Sequence, residues 1–438
     1  MIRHGGRTRL TRTAFTRTAL ALGLALAFVA AACGDDSGSS SANTTAGGGA
    51  ATTAAAGTTA AGAATTAAAE TTTTVALTGP PIKLMVMYEG TGAVATPEVA
   101  EGAKAAADAI NAAGGVDGSP IVLENCDLKN DPNAATACGN QAVSDGVVAV
   151  VSPVSANGAQ YYPALEKAQI PVVGDVPASA ADFTSPASFP LYGGIVSASG
   201  GLANELATLA GAKAVSLARI DLAAASAIGI FANQALAPLG LKVVNDISIP
   251  VGAPDMSTYV ASVLQNGTDG VLVGLAGQDA TNFIIALRQS NPNIPISATT
   301  TDFDGVRKAL GDAANGIYVT AFFNNADTDA TGFGKYQAAM AAAGFKSLTE
   351  FRPNAYSAVQ VVAQVLQGLP EKTAAALYAK LPTVTGLKVD LLPPLQFTKP
   401  AGAIPRVFNV CGYFQQLENG EFKTLSTGFI DMFTGKPC

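Results

Sequence analysis

The sequence predicts an α/β protein of two lobes, each a parallel sheet covered by helices on both faces. Two observations carry that reading. From Ile82 onwards, short apolar runs of strand length alternate with longer helical segments, the alternation that builds parallel sheets. The same rhythm then begins again near residue 214, so a second sheet is expected.

The first series opens with a strand at Ile82–Tyr88, followed by a glycine-containing turn. Thr96 suits a helix cap, Pro97 a first turn, and Glu98 and Glu101 the positive end of the helix dipole. Gly114-Gly115 stops that helix, and residues 120–125 form the next strand. Asp131-Pro132 repeats the cap-plus-proline start, and strands are expected at 147–151 and 171–174. The second series places strands at 214–218, 241–247 and 270–275, with helices at 224–236 and 256–265 between them. No short-period repeat is present.

The region before Ile82 has a different purpose. Residues 1–32 join an Arg-rich start to an apolar stretch at 19–32, too short to span a bilayer and suited to a signal peptide. Ala30, Ala31 and Ala32 lead into Cys33, which resembles the lipidated cysteine of bacterial lipoproteins, although Ala30 stands where that pattern usually has Leu. Ordinary cleavage with an incidental cysteine is the alternative. Residues 33–80 are then a lipidated cysteine and an Ala/Thr/Gly/Ser linker, with little to bury and a reach of roughly 35–40 Å. The Thr-rich composition would permit O-glycosylation. The chain is therefore expected to be exported and held by lipid at the outer face of a bacterial cell membrane.

Charge and composition exclude much chemistry. The chain carries 25 basic and 32 acidic residues, and five of the basic ones precede Cys33. The remainder has 20 against 32, a net of −12, which makes nucleic acid a poor partner. The single histidine, His4, lies in the signal, so histidine-based catalysis and histidine-containing metal sites are excluded from the mature chain. No cofactor and no metal are expected. A GxGxxA pattern starts at Gly90, but the acids nearest to the ribose-binding position, Glu124 and Asp127, lie more than 30 residues on rather than about 20.

Ligands of open α/β sheets sit beyond the carboxyl ends of the strands. There the sequence offers Tyr88 for stacking, Glu89 for a cation, Ser155, Ala156 and Asn157, then Pro177, Ala178 and Ser179, and in the second series Asp221, Ala223, Gln278 and Asp302. Asp221 and Asp302 suit helix caps equally well. The four cysteines after Cys33 allow three pairings. Cys126 ends a strand and Cys138 lies two turns into the following helix, so these two are expected to pair, leaving Cys411 with Cys438. Such a framework fits an oxidising compartment.

The stretch EGAKAAADAINAAGGVDG at 101–118, with Asp127, Asp131-Pro132 and the run 147–155 downstream, resembles periplasmic solute-binding proteins of the leucine/isoleucine/valine-binding type. The resemblance continues more faintly to about Lys423. It implies a type I periplasmic-binding fold: two doubly wound parallel-sheet lobes joined by three crossovers, hinged to close on a small solute that is passed to an ABC permease. Lobe one would comprise 81–200 plus 326–395, and lobe two 201–325 plus 396–438. The family holds an amino acid's carboxylate and amino group at the loops matching 155–157 and 176–179. Asp302 matches the carboxylate that meets the ammonium group. Where the family usually has two tyrosines in the second lobe, this chain reads Asp221-Leu222-Ala223 and Ala276-Gly277-Gln278.

The function expected is non-enzymatic capture of a small polar solute, an amino acid first, then an amide, urea-like compound or short organic acid. A lipoprotein sensor signalling to a membrane receptor is one alternative. A hydrolase working through carboxylates alone, with Glu89 and Asp302 as the pair, is another.

Overall fold

The computed structural model describes residues 77–91, 95–222, 225–298, 304–349 and 351–438, all within one compact unit, Thr71–Cys438. The signal, Cys33 and nearly all of the linker lie outside the described residues.

The first sheet contains β1 (Ile82–Tyr88), β2 (Ile121–Asp127), β3 (Ala149–Val151), β4 (Val172–Val173) and β5 (Ser188–Phe189). Its order is β2-β1-β3-β4-β5 and every pairing is parallel. The connecting helices are α1 (Glu98–Ala112), α2 (Pro132–Ser144) and α3 (Gly158–Ala168). Side chains alternate across a strand, so β1 feeds two cores. Ile82, Leu84 and Val86 pack with α1 on one face, and Met85 and Met87 pack with Tyr161 and Leu165 of α3 on the other. Each fully buried aliphatic side chain of this kind contributes about 1.5–3 kcal/mol.

The chain then enters α4 (Ile195–Thr208) and a second sheet: β6 (Val215–Ile220), α5 (Ser226–Leu236), β7 (Val243–Ile249), α6 (Ser257–Val263), β8 (Gly270–Gly274), α7 (Gly277–Ser290), β9 (Ile296–Ala298), α8 (Asp304–Leu310) and β10 (Tyr318–Ala321). It returns to the first half through α9 (Ala330–Ala342), α10 (Arg352–Leu366) and α11 (Ala374–Lys380), and ends in β11 (Cys411–Glu418), β12 (Glu421–Thr424) and β13 (Ile430–Asp431). The second sheet runs β12-β11-β10-β9-β8-β6-β7, with β13 on β11. It is parallel from β7 to β10 and antiparallel beyond. Leu217 and Leu272 face α4 and α5, whereas Val271, Val273 and Ile296 face α6 and α7.

Three crossings link the halves. Residues 190–194 lead from β5 to α4, whose Leu202 and Leu206 belong to the second sheet's core. Residues 322–329 lead back from β10 to α9, whose Tyr336 and Met340 join the first core. Phe397 and Phe408 remain in the first core before β11 begins. A division at residue 200 therefore falls inside α4, and residues 396–408 pack with the first half.

Side-chain caps open α2, α9 and α11. Asp131 caps α2 by accepting from the N–H groups of Asn133 and Ala134, both at 2.8 Å, with Pro132 in the first turn. Thr96 does not cap α1. Its hydroxyl accepts from the Glu89 N–H at 3.3 Å and its own N–H donates to the Glu89 carbonyl at 2.6 Å, so it fastens the loop after β1 instead. Helix α1 meets α10 closely because position 102 is glycine: a Cβ there would lie 2.3 Å from the Arg352 carbonyl oxygen. Two disulfides complete the frame. Cys126–Cys138 ties β2 to α2, and Cys411–Cys438 ties the last residue to β11. Closing loops of 12 and 27 residues contributes about 3 and about 3.5 kcal/mol in the chain-entropy account.

Candidate functional site

Both sheets direct strand carboxyl ends at one cavity of about 800 Å³. The first half supplies Val176, just after β4, and Phe351 and Pro353 at the start of α10. The second half supplies Ile220, Leu275 and Ala276 at the ends of β6 and β8. The crossings themselves form part of the wall. Tyr192 stacks on Phe322 with ring centroids 4.6 Å apart and meets Phe323 edge-on at 5.6 Å.

The wall is mostly apolar, with Ser199, Asn325, Asp327, Thr349, Gln415 and Glu421 joining Thr320 and Asn324 as its polar residues. Thr320 Oγ1 is buried without a hydrogen-bond partner among the described residues. Asn324 ties the second crossing to the segment after α11 and to β11. Its N–H donates to the Leu391 carbonyl at 2.8 Å, its Nδ2 donates to the Asp390 carbonyl at 3.0 Å, and its Oδ1 accepts from the Tyr413 hydroxyl. Burial pushes that phenol up to about 12, so Tyr413 remains a donor. A wall of this composition removes water from an apolar group and orients it with a small number of polar contacts.

The residues singled out from sequence fall into three groups. Ser155, Asn157, Pro177, Ala178 and Ser179 belong to two abutting loops. The Ser155 hydroxyl accepts from the Asn157 N–H at 3.1 Å, and Ala156 beside it is exposed. The Val176 N–H donates to the Pro153 carbonyl at 3.0 Å. A Cβ at Gly158 would lie 2.4 Å from Ser179 Oγ. Pro177 closes against the first crossing, where Gly194 has φ +53° and a Cβ would lie 2.7 Å from the Pro177 carbonyl oxygen.

Tyr88 and Glu89 lie in a separate loop that is locked from within. Tyr88 is half-buried against the first core. The Glu89 carboxylate is buried and accepts from the Asn130 N–H. Asp127 fastens the same loop, accepting from the Gly90 N–H at 2.7 Å and the Thr91 hydroxyl at 2.8 Å. Burial opposes ionisation of Asp127, but the Thr91 hydroxyl and the N–H groups of Lys129, Gly90 and Thr91 hold its carboxyl below the usual range.

In the second half, Asp221 is exposed and accepts from the Ser248 hydroxyl at 2.7 Å. Gln278 is exposed and donates to Asn282 one turn further along α7 at 2.8 Å. Ala223 and Asp302 lie outside the described residues, and with Asp302 the carboxylate pair Glu89/Asp302. The cavity wall uses positions within two residues of these, Val176, Ile220 and Ala276. Tyr192, Phe322 and Phe323 were not singled out at all. Their signal was positional, since each follows the last parallel strand of its half.

Beneath the 176–179 loop sits a buried polar cluster. Asp182 Oδ2 accepts from the N–H groups of Ala178 and Ser179 at 3.0 and 2.6 Å. Asp175 follows β4 and its Oδ2 lies 2.9 Å from Ser188 Oγ. Burial raises both carboxyls, strongly so for Asp175, where the neighbouring Asp182 carboxylate adds to the effect. In the second half, Glu205 of α4 is equally buried and its carboxyl is also raised well above the usual range by burial.

A family model described as periplasmic binding protein matches residues 81–421. No curated protein matches the chain. Among solved structures, the branched-chain amino acid transporter substrate-binding protein LivJ of Streptococcus pneumoniae, crystallised with isoleucine, is similar over 80% of this chain and 99% of its own, at 20% identity and a TM-score of 0.66. A possible leucine/isoleucine/valine-binding protein of Rhodopirellula baltica is similar over 79% of this chain and 96% of its own, at 16% identity and a TM-score of 0.68. A putative branched-chain amino acid ABC transporter protein of Rhodospirillum rubrum gives 79%, 100%, 20% and 0.61 for the same measures.

Proposed function

Because the chain belongs to the periplasmic binding protein family, we propose that it captures a small solute between its two lobes and delivers it to an ABC-type permease. The observation that carries this reading is the apolar, aromatic-walled cavity at facing strand ends, bordered by the crossings that join the lobes. Closure of lobes about such crossings traps a ligand without covalent chemistry. Val176, Leu275 and Phe322 favour a solute with an apolar portion, and Ser199, Thr320 and Asn325 on the same wall offer partners for a compact polar head. An amino acid with an aliphatic side chain meets both demands. Support comes from the S. pneumoniae structure, which holds isoleucine. Amides, urea-like compounds and short organic acids come next.

The family works outside the cytoplasm, and among the described residues no helix is long and apolar enough to cross a membrane. Lipid on Cys33 would tether the trap, with the Ala/Thr-rich linker as leash.

A thermal-shift screen of the disulfide-intact protein tests the reading. Isoleucine, leucine or valine at a hundred times its Kd should stabilise the fold by about 2.7 kcal/mol. A response to amides or carboxylates alone would reassign the solute, and turnover of any compound would overturn the binding-protein assignment.

A further inference from the structure

Ser188 Oγ lies 2.9 Å from Asp175 Oδ2 and 2.6 Å from the Asp182 carbonyl oxygen. A serine hydroxyl carries one hydrogen. It cannot donate to both oxygens, and neither of them donates if Asp175 is ionised. We propose that Asp175 is held as a neutral acid whose proton, relayed through Ser188, positions the 176–182 loop at the first-lobe edge of the cleft. Asp175 Oδ2 then donates to Ser188 Oγ, and Ser188 donates to the Asp182 carbonyl. With its backbone so held, Asp182 uses its carboxylate on the Ala178 and Ser179 N–H groups.

The surroundings favour this protonation state. Asp175 is fully buried, and its Oδ1 has no hydrogen-bond partner among the described residues, a costly place for a carboxylate charge. The charged and titratable groups facing it are Asp182, Arg406, Tyr161 and Tyr162. Arg406, in the segment before β11 that packs with the first half, does not pair with it. Its guanidinium donates to the Ser188 carbonyl and lies over the Phe189 and Phe408 rings at 4.5 and 4.7 Å. Asp175 touches no solute and acts through others, so it is a positioning residue. Its bearing on capture rests on the function proposed above.

Infrared spectroscopy of the whole exported protein at neutral pH, carrying Glu205→Gln to remove the other carboxyl raised well above the usual range, should show a neutral carboxylic-acid carbonyl band that Asp175→Asn abolishes. Hydrogen exchange should then show Asp175→Ala and Ser188→Ala lowering amide protection at Ala178 and Ser179 by roughly fivefold, the weight of one net hydrogen bond. Asp175→Asn, which keeps a donor, should retain wild-type protection. With isoleucine as probe, affinity should follow the same order. Ser188→Ala is a mild change that keeps the test open should Asp175→Ala not fold. Absence of the band, or unaltered protection in the Ala variants, overturns the proposal. Neither readout requires a solute, so silence with isoleucine would count against the proposed cargo and leave the positioning role standing on its own measurements.

Discussion

The two lobes end in cleft edges of different construction. On the first, Ser155, Asp175, Asp182 and Ser188 are buried and hydrogen-bonded to neighbouring backbone or side chains, although Asp175 Oδ1 has no partner among the described residues. On the second, Asp221 and Gln278 are exposed and their side chains bond to those of Ser248 and Asn282, while Leu275 and Ala276 form a plain apolar wall. A buried, hydrogen-bonded polar network rigidifies what it holds. The first edge is thus built as a fixed wall, and the second supplies area that adapts to shape.

Substitution at the first edge should have the larger effect. Asp182→Ala removes the acceptor of two N–H groups and is expected to cost about 2–3 kcal/mol in denaturant unfolding. It should also weaken isoleucine binding. A cost below half a kilocalorie would mean that water replaces the carboxylate freely.

The next effect is pH dependence. Asp175 and Glu205 both have raised carboxyl pKa values, with burial the leading cause. Folded protein therefore keeps protons that unfolded chain releases in the ordinary carboxylate range. The unfolded state binds fewer protons, so stability falls as pH rises from that range towards the raised values, by up to about 1.4 kcal/mol per pH unit per group. Asp175→Asn and Glu205→Gln should each flatten the fall, measured by thermal unfolding across pH. A wild-type curve with no such decline would contradict neutral burial at both sites.

The smallest effect is expected at the second edge. Asp221→Asn should change stability by no more than about 0.5 kcal/mol, as for most exposed substitutions. A larger loss would show that the Ser248 contact organises this edge, and the contrast between the lobes would narrow.

The fold was legible because its signals are local and periodic. Ile82–Tyr88 appears with the expected bounds, Asp131-Pro132 opens α2 as expected, and nearness along the chain pointed to Cys126–Cys138, which left Cys411 for Cys438. The site was less so. Thr96 read as a helix cap because a hydroxyl ahead of Pro97 looks like one; only the fold brings Glu89 within its reach. Glu89 itself could be solvated or ligand-facing in sequence, and its burial depends on Asn130, 41 residues away. Tyr192, Phe322 and Phe323 lie in crossings that have no period to read. Asp175 and Asp182 acquire their environment from Ser188, Arg406 and Tyr161, which no spacing rule assembles.

The edges of the sheets bear on how copies of this protein tolerate crowding. An unpaired strand is a template on which another chain can add. In the first sheet one edge is β5, only two residues long. In the second, β12 has four residues, with Glu421 exposed, Lys423 paired to Glu418 at 3.1 Å, and a tight turn back to β11. Borders this short give a neighbouring strand little to align with, whereas the opposite borders, β2 and β7, are seven residues long. Copies that meet at β5 or β12 should therefore part more readily than copies that meet at β2 or β7.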